Sequence, residues 1–128
     1  MKPGYDGSTF GGNPMAMTAA LIATRQMKKL NLTKVAAERS VQFFEALSKI
    51  VNPLYKGAHG LGLMIGVDFV SQEAMLAVQE AMKELGAHSS LSTDATMRWM
   101  PPLVITPEEV DQVIDAFKKA LEKVSKKE

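Results

Sequence analysis

Gly60-Leu61-Gly62-Leu63-Met64-Ile65-Gly66-Val67-Asp68-Phe69-Val70 is the stretch on which the fold class turns. Leu61, Leu63, Ile65, Val67 and Phe69 alternate with Gly62, Met64, Gly66, Asp68 and Val70, and a period of two sends alternate side chains to opposite faces of a β-strand. The alternation predicts a strand over Leu61 to Val70. Leu54 to His59 is its expected hairpin partner, turning through Gly57 and Gly60. The glycines lead into an alternating strand, whereas a dinucleotide-binding turn would set them between a strand and a helix, so that class of site is not indicated.

Outward from this strand the period changes to that of helices. Asn13-Pro14 is a helix start, because Asn caps free N–H groups and Pro is tolerated at the first helical position. A helix is expected from Pro14 to Leu30, with Met17, Leu21, Thr24, Met27 and Leu30 at helical spacing. A second should span Thr33 to Val51, with Ala37, Val41, Phe44, Leu47 and Val51 on its inner stripe, and end at Asn52-Pro53. A third begins near Ser71, turns Met75, Val78, Met82 and Leu85 inward and stops at Gly86. Ala87 to Leu91 reads as a short extended segment. Thr96 to Met100 reads as a strand closed by Pro101-Pro102, because a residue before proline avoids the helical region. The last helix carries the most complete start signal: Thr106, Pro107 and Glu109 supply an N-cap, a first-position proline and a capping-box partner. Val110, Val113, Ile114, Phe117, Leu121 and Val124 form its stripe. This order predicts an α+β two-layer sandwich over residues 1–128, a small and mostly antiparallel sheet with helices packed on it.

Composition narrows the function classes. The 128 residues suit one domain with a modest core, and the 46% hydrophobic and 23% charged content is that of a soluble globular chain. No apolar run approaches the roughly 20 residues that span a bilayer. The first residues do not read as a secretory signal, which points to a cytoplasmic location. The absence of cysteine excludes disulfides, thiolate metal sites and a cysteine nucleophile, and no metal site is expected. Fifteen basic and fourteen acidic side chains leave a formal charge of +1, so no global field recruits nucleic acid. The lysine-rich tail, Lys118, Lys119, Lys123, Lys126 and Lys127, fits a solvated helix end that complements the helix dipole.

Two segments could carry chemistry. Gly7-Ser8-Thr9-Phe10-Gly11-Gly12-Asn13-Pro14 joins glycines and two hydroxyls to a helix N-terminus, a combination that suits a phosphate but also describes many plain loops. His59 and His88 read as surface or structural residues. In Met97-Arg98-Trp99-Met100-Pro101-Pro102-Leu103-Val104-Ile105-Thr106, alternation turns Arg98 away from Met97 and Trp99, at the mouth of a sheet edge. Its planar fork suits two-point contact with a carboxylate, and a surface ion pair is the plainer reading.

In chain order, these two segments and the Gly60 to Gly66 stretch resemble the class III aminotransferases of the ornithine, acetylornithine and putrescine type. Gly7 to Pro14 is similar to the family segment leading into the small domain's long helix, Gly60 to Gly66 to its RGxGLMxG strand, and Arg98 to Thr106 to its RxxPPLxIT segment. The likeness covers essentially the whole chain and implies the C-terminal small domain of a fold-type I enzyme that uses pyridoxal 5'-phosphate. It implies that Thr9, supported by Ser8, contacts the cofactor phosphate of a neighbouring subunit, and that Arg98 holds a substrate carboxylate or a gating Glu. Two positions depart from the pattern: Asp6 stands where the family often has His, and His59 where it has Arg.

The same resemblance implies that the catalytic lysine and the Asp facing the pyridine nitrogen belong to a large domain, whose motifs are absent here. Lys28, Lys29, Lys34, Lys49, Lys56 and Lys83 read as solvated surface lysines, and no residue of this chain is expected to be catalytic. The chain is therefore expected to be inactive alone, with the large domain, a second subunit, or both as partners in a homo-oligomer. The alternative is a non-catalytic α+β association module derived from the family.

Overall fold

Alternation does form a strand in the computed structural model, but it begins later than the first leucine. The structure describes residues 7–93 and 95–126. Leu61 belongs to β1 (Tyr55–Leu61), and β2 runs Met64–Phe69, so the expected single strand over Leu61 to Val70 is corrected to a hairpin. The chain reverses at Gly62 and Leu63, between paired Leu61 and Met64, and not through Gly57 and Gly60. Gly62 has φ +58, a conformation that suits glycine at the first position of a two-residue hairpin loop.

The other two strands follow the same logic. β3 is Ser90–Thr93, starting later than the extended segment expected at Ala87, and β4 is Thr96–Trp99. All pairings are antiparallel, in the order β1-β2-β4-β3. β4 is therefore an inner strand, which corrects the expectation that Arg98 lies at a sheet edge.

Residues up to Leu32 and residues from Thr33 form two compact units. In the first, α1 (Pro14–Lys29) starts as expected: Asn13 Oδ1 accepts from the Ala16 N–H at 2.9 Å, with Pro14 at the first helical position. No residue of α1 is buried. Asn31, at φ 49, ends this helix in the left-handed conformation that Asn tolerates.

In the second unit, α2 (Leu32–Ser48), α3 (Gln72–Glu84) and α4 (Pro107–Ser125) cover one face of the sheet. The inner stripe of α2 keeps part of the expected row and corrects the rest: Leu47 is buried and Phe44 partly so as expected, but Phe43 is buried and Ala36 and Ile50 partly so, while Ala37 is exposed, Val41 is 57% exposed and Val51 97%. In α3, Ala74, Met75, Val78, Ala81 and Met82 face inward, but Leu85 is exposed at the C-cap, just before Gly86 at φ +84.

α4 matches its sequence most closely. Thr106 and Glu109 form the full capping box, with Glu109 Oε2 accepting from the Thr106 N–H at 2.8 Å. Val110, Ile114, Phe117 and Leu121 are buried, joined by Ala116 and Ala120, with Val113 and Val124 at the margin. Burying each of the four large side chains stabilises by about 1.5–3 kcal/mol relative to exposure. Phe117 anchors the layer: its ring makes edge contacts with Trp99 at 5.1 Å, Tyr55 at 5.5 Å and Phe69 at 6.2 Å. Phe43 meets Trp99 at 6.1 Å and ties α2 to the same cluster. Among the described residues this interior holds no buried polar side chain, so every polar candidate lies outside it. The architecture is the expected α+β sandwich, with one apolar helical layer and a four-stranded antiparallel sheet whose other face carries the polar groups.

Candidate functional site

The loop ahead of α1 belongs to the first unit. Ser8 and Thr9 are exposed in a turn in which Gly11 N–H donates to the Ser8 carbonyl at 3.4 Å. Asn13 fixes the end of this turn by donating to the Phe10 carbonyl at 2.9 Å while it caps the helix. No acidic residue lies in the first turn of α1, so nothing there offsets the positive end of the helix dipole. Two hydroxyls and a helix whose first turn holds no acidic residue are a chemistry that fits a phosphate. Asp6, where the sequence departs from the family pattern, lies outside the described residues.

Arg98 belongs to the second unit. Met97 and Trp99 on either side of it are 0% and 5% exposed, whereas Arg98 is exposed, so alternation gives its face correctly. The sheet register sets four residues of this face in one row, His59 on β1, Gly66 on β2, Arg98 on β4 and Ser90 on β3. Arg98 Nε donates to Ser90 Oγ at 3.2 Å, and Ser90 Oγ donates in turn to the Arg98 carbonyl at 3.4 Å. The adjacent row pairs Asp68 with Thr96. Asp68 Oδ1 accepts from Thr96 Oγ1 at 2.7 Å and Oδ2 from His59 Nδ1 at 2.8 Å. His59 is thus an exposed residue hydrogen-bonded to Asp68.

Sequence reading missed Ser90, Asp68 and Thr96. The parity of Thr96 with Arg98 could have flagged Thr96, and the parity of Asp68 with Gly66 could have flagged Asp68. Ser90 needed the β3–β4 register, which no local pattern reveals.

His88 lines a cavity of about 280 Å³ with Phe43, Trp99, Pro101 and Pro102. A second hollow, about 520 Å³, lies between the end of α2 and β1 and is lined by neither histidine nor Arg98. Every described lysine is exposed, in agreement with the surface reading. Lys119, whose hydrogen bond to Asp115 raises its pKa, sits on the open face of α4. Burial is one of the settings that activates a lysine to attack a carbonyl, and no described lysine is buried. Among the described residues no cluster of three metal-ligating side chains exists, and no helix is long and apolar enough to cross a membrane.

The family model for aminotransferase class-III matches residues 1–121, and the chain belongs to that family. It is 35% identical over 128 residues to the [LysW]-aminoadipate semialdehyde transaminase of Deinococcus radiodurans, covering 100% of this chain and 30% of that protein. It is 37% identical over 120 residues to an ornithine aminotransferase of Exiguobacterium sp., covering 94% and 30%. The crystal structure of ornithine aminotransferase from Toxoplasma gondii superposes with a TM-score of 0.87 at 33% identity, over 100% of this chain and 31% of that one. The chain thus spans about 30% of the length of the curated relatives it matches.

Proposed function

We propose that this chain serves as the small domain of a cytoplasmic, pyridoxal-phosphate-dependent aminotransferase, with Thr9 and Ser8 contacting the cofactor phosphate and Arg98 binding a substrate carboxylate. The observation that carries the reading is the outer sheet face: Arg98 stands exposed on an inner strand, anchored through Nε and without an ion pair among the described residues. Its terminal nitrogens can then meet both oxygens of a carboxylate.

Pyridoxal phosphate, when bound, supplies the electron sink for moving an amino group between an amino acid or diamine and a 2-oxo acid. This chain's share is positional. The Thr9 and Ser8 hydroxyls would donate to phosphate oxygens beside the start of α1, and Arg98 would fix the far end of the substrate, which lowers the entropic cost of reaching a reactive geometry. Ornithine is the first amino donor to try, because several of the similar proteins are ornithine aminotransferases.

Partners are part of the same reading. α1 exposes Met15 and Ile22 on one side and Met17 and Leu21 on another, at 84%, 54%, 51% and 50%. Apolar surface on two sides of a helix suits burial by a partner, here the rest of the enzyme and a second subunit. Sedimentation of the chain is expected to show self-association, and a monomer at high concentration would count against a homo-oligomer.

The experiment is a chimera that joins these residues to the remaining part of the Exiguobacterium ornithine aminotransferase. Arg98→Lys should raise the KM for a carboxylate-bearing donor at least about tenfold, because a point charge cannot reproduce the fork. Thr9→Ala should chiefly weaken cofactor retention. Unchanged KM and unchanged cofactor affinity would remove both assignments.

A further inference from the structure

Arg98 has an obvious partner that it does not take. Asp68 lies on the same sheet face, opposite Thr96, two residues along β4 from Arg98. An arginine and a carboxylate on diagonal positions of one face are within reach of each other, and such a pair is a strong one when it forms. Here both oxygens of Asp68 are engaged, Oδ1 by Thr96 and Oδ2 by His59. The His59 ring is seated over Gly66, where a Cβ would stand 2.6 Å from ring atoms, so only glycine between His59 and Arg98 lets the imidazole lie there. On the other side of Arg98, Ser90 accepts from Nε. Nε is the donor nearest the aliphatic stem, so a bond there fixes the guanidinium plane and leaves both terminal nitrogens unspent.

We propose that Ser90 is a positioning residue for Arg98, and that Thr96 and His59, by occupying Asp68, keep the Arg98 fork free for an incoming carboxylate. This rests on the carboxylate reading of Arg98 and adds what orients the fork and what keeps it unpaired. A serine meets the first requirement with one hydroxyl, which accepts from Nε and donates to the carbonyl of the same arginine. Alanine can do neither, and threonine can do both.

Two measurements test it. In the 128-residue chain, the Arg98 Nε–H should exchange slowly with solvent by NMR, exchange at least about tenfold faster in Ser90→Ala, and return to the original rate in Ser90→Thr. The same rate in Ser90→Ala would overturn the positioning role. In the chimera, Ser90→Ala should raise the KM for ornithine about tenfold with kcat changed less than about twofold, and Ser90→Thr should restore it. The double variant His59→Ala with Thr96→Val should raise the KM in the same way, and adding Asp68→Asn should bring it back, because the freed carboxylate is then gone. A KM that stays high with Asp68→Asn would show that Asp68 is not the competitor. Arg98→Lys separates the two readings: if it leaves the KM unchanged, the carboxylate assignment fails, whereas if it raises the KM and Ser90→Ala does not, only the present proposal fails.

Discussion

His59 Nδ1 lies 2.8 Å from Asp68 Oδ2, and the imidazole that makes this contact fills the space above the Cα of Gly66. One glycine of the β1–β2 hairpin is therefore required by a side chain. Gly60 is required by the backbone, since a Cβ there would stand 2.0 Å from the Met64 carbonyl oxygen and its φ is +138.

The two glycines should respond differently to alanine. In Gly66→Ala the obstruction is the end of a flexible, 64% exposed histidine, which can swing aside, so stability should change by less than about 1 kcal/mol while the His59–Asp68 contact is lost. In Gly60→Ala both the backbone oxygen and the positive φ resist, and a loss of about 2 kcal/mol or more is expected. Urea unfolding of both variants checks the order, and equal losses would refute it.

Phe117 touches three aromatic rings at once. Phe117→Ala should cost about 3–5 kcal/mol through lost burial and an unfilled cavity. Phe43→Ala should also fall in that range, whereas Val41→Ala, on the exposed side of α2, should stay within about 0.5 kcal/mol. A large effect at Val41 with none at Phe43 would restore the stripe first expected from the sequence.

That stripe shows where sequence reading runs out. Phe43 and Phe44 are adjacent and Leu47 is at helical spacing from both, so a row through Val41 and Phe44 and a row through Phe43 share it. Only the position of Trp99 on β4 selects the second. The hairpin failed for a related reason: Leu61 and Leu63 keep the alternation through a two-residue loop, so parity alone does not mark where the chain turns back. The start of α4 was legible because its signals are local, from Thr106 to Glu109. The face of Arg98 was legible for the same reason, from Met97 and Trp99, but its bond to Ser90 crosses between strands eight residues apart.

The Thr106 cap can be weighed by substitution. Thr106→Ala removes the acceptor for the Glu109 N–H, 3.2 Å away, and should cost about 1 kcal/mol by thermal or urea unfolding. No measurable change would mean that the last helix is held by its apolar stripe alone.

Burial, and after it the negative charge of Asp68, holds the Tyr55 hydroxyl above its ordinary pKa. The folded state thus keeps this proton more tightly than the unfolded state does. Its contribution is complete below the ordinary tyrosine value and is lost as pH rises through the raised one. Tyr55→Phe should therefore lose less stability than the parent between about pH 10 and 12, read from unfolding midpoints across that range. Parallel losses would contradict the assignment.

We propose that these residues hold phosphate and carboxylate, while the lysine that does covalent chemistry with the cofactor belongs to the rest of the enzyme. The most direct measurement is turnover of ornithine with 2-oxoglutarate in the presence of pyridoxal phosphate, by the 128-residue chain and by its chimera with the rest of the Exiguobacterium enzyme. No turnover is expected from the chain alone, turnover from the chimera, and a raised KM for ornithine in the chimera carrying Arg98→Lys. Turnover by the 128 residues alone would contradict this proposal, as would a chimera indifferent to Arg98→Lys.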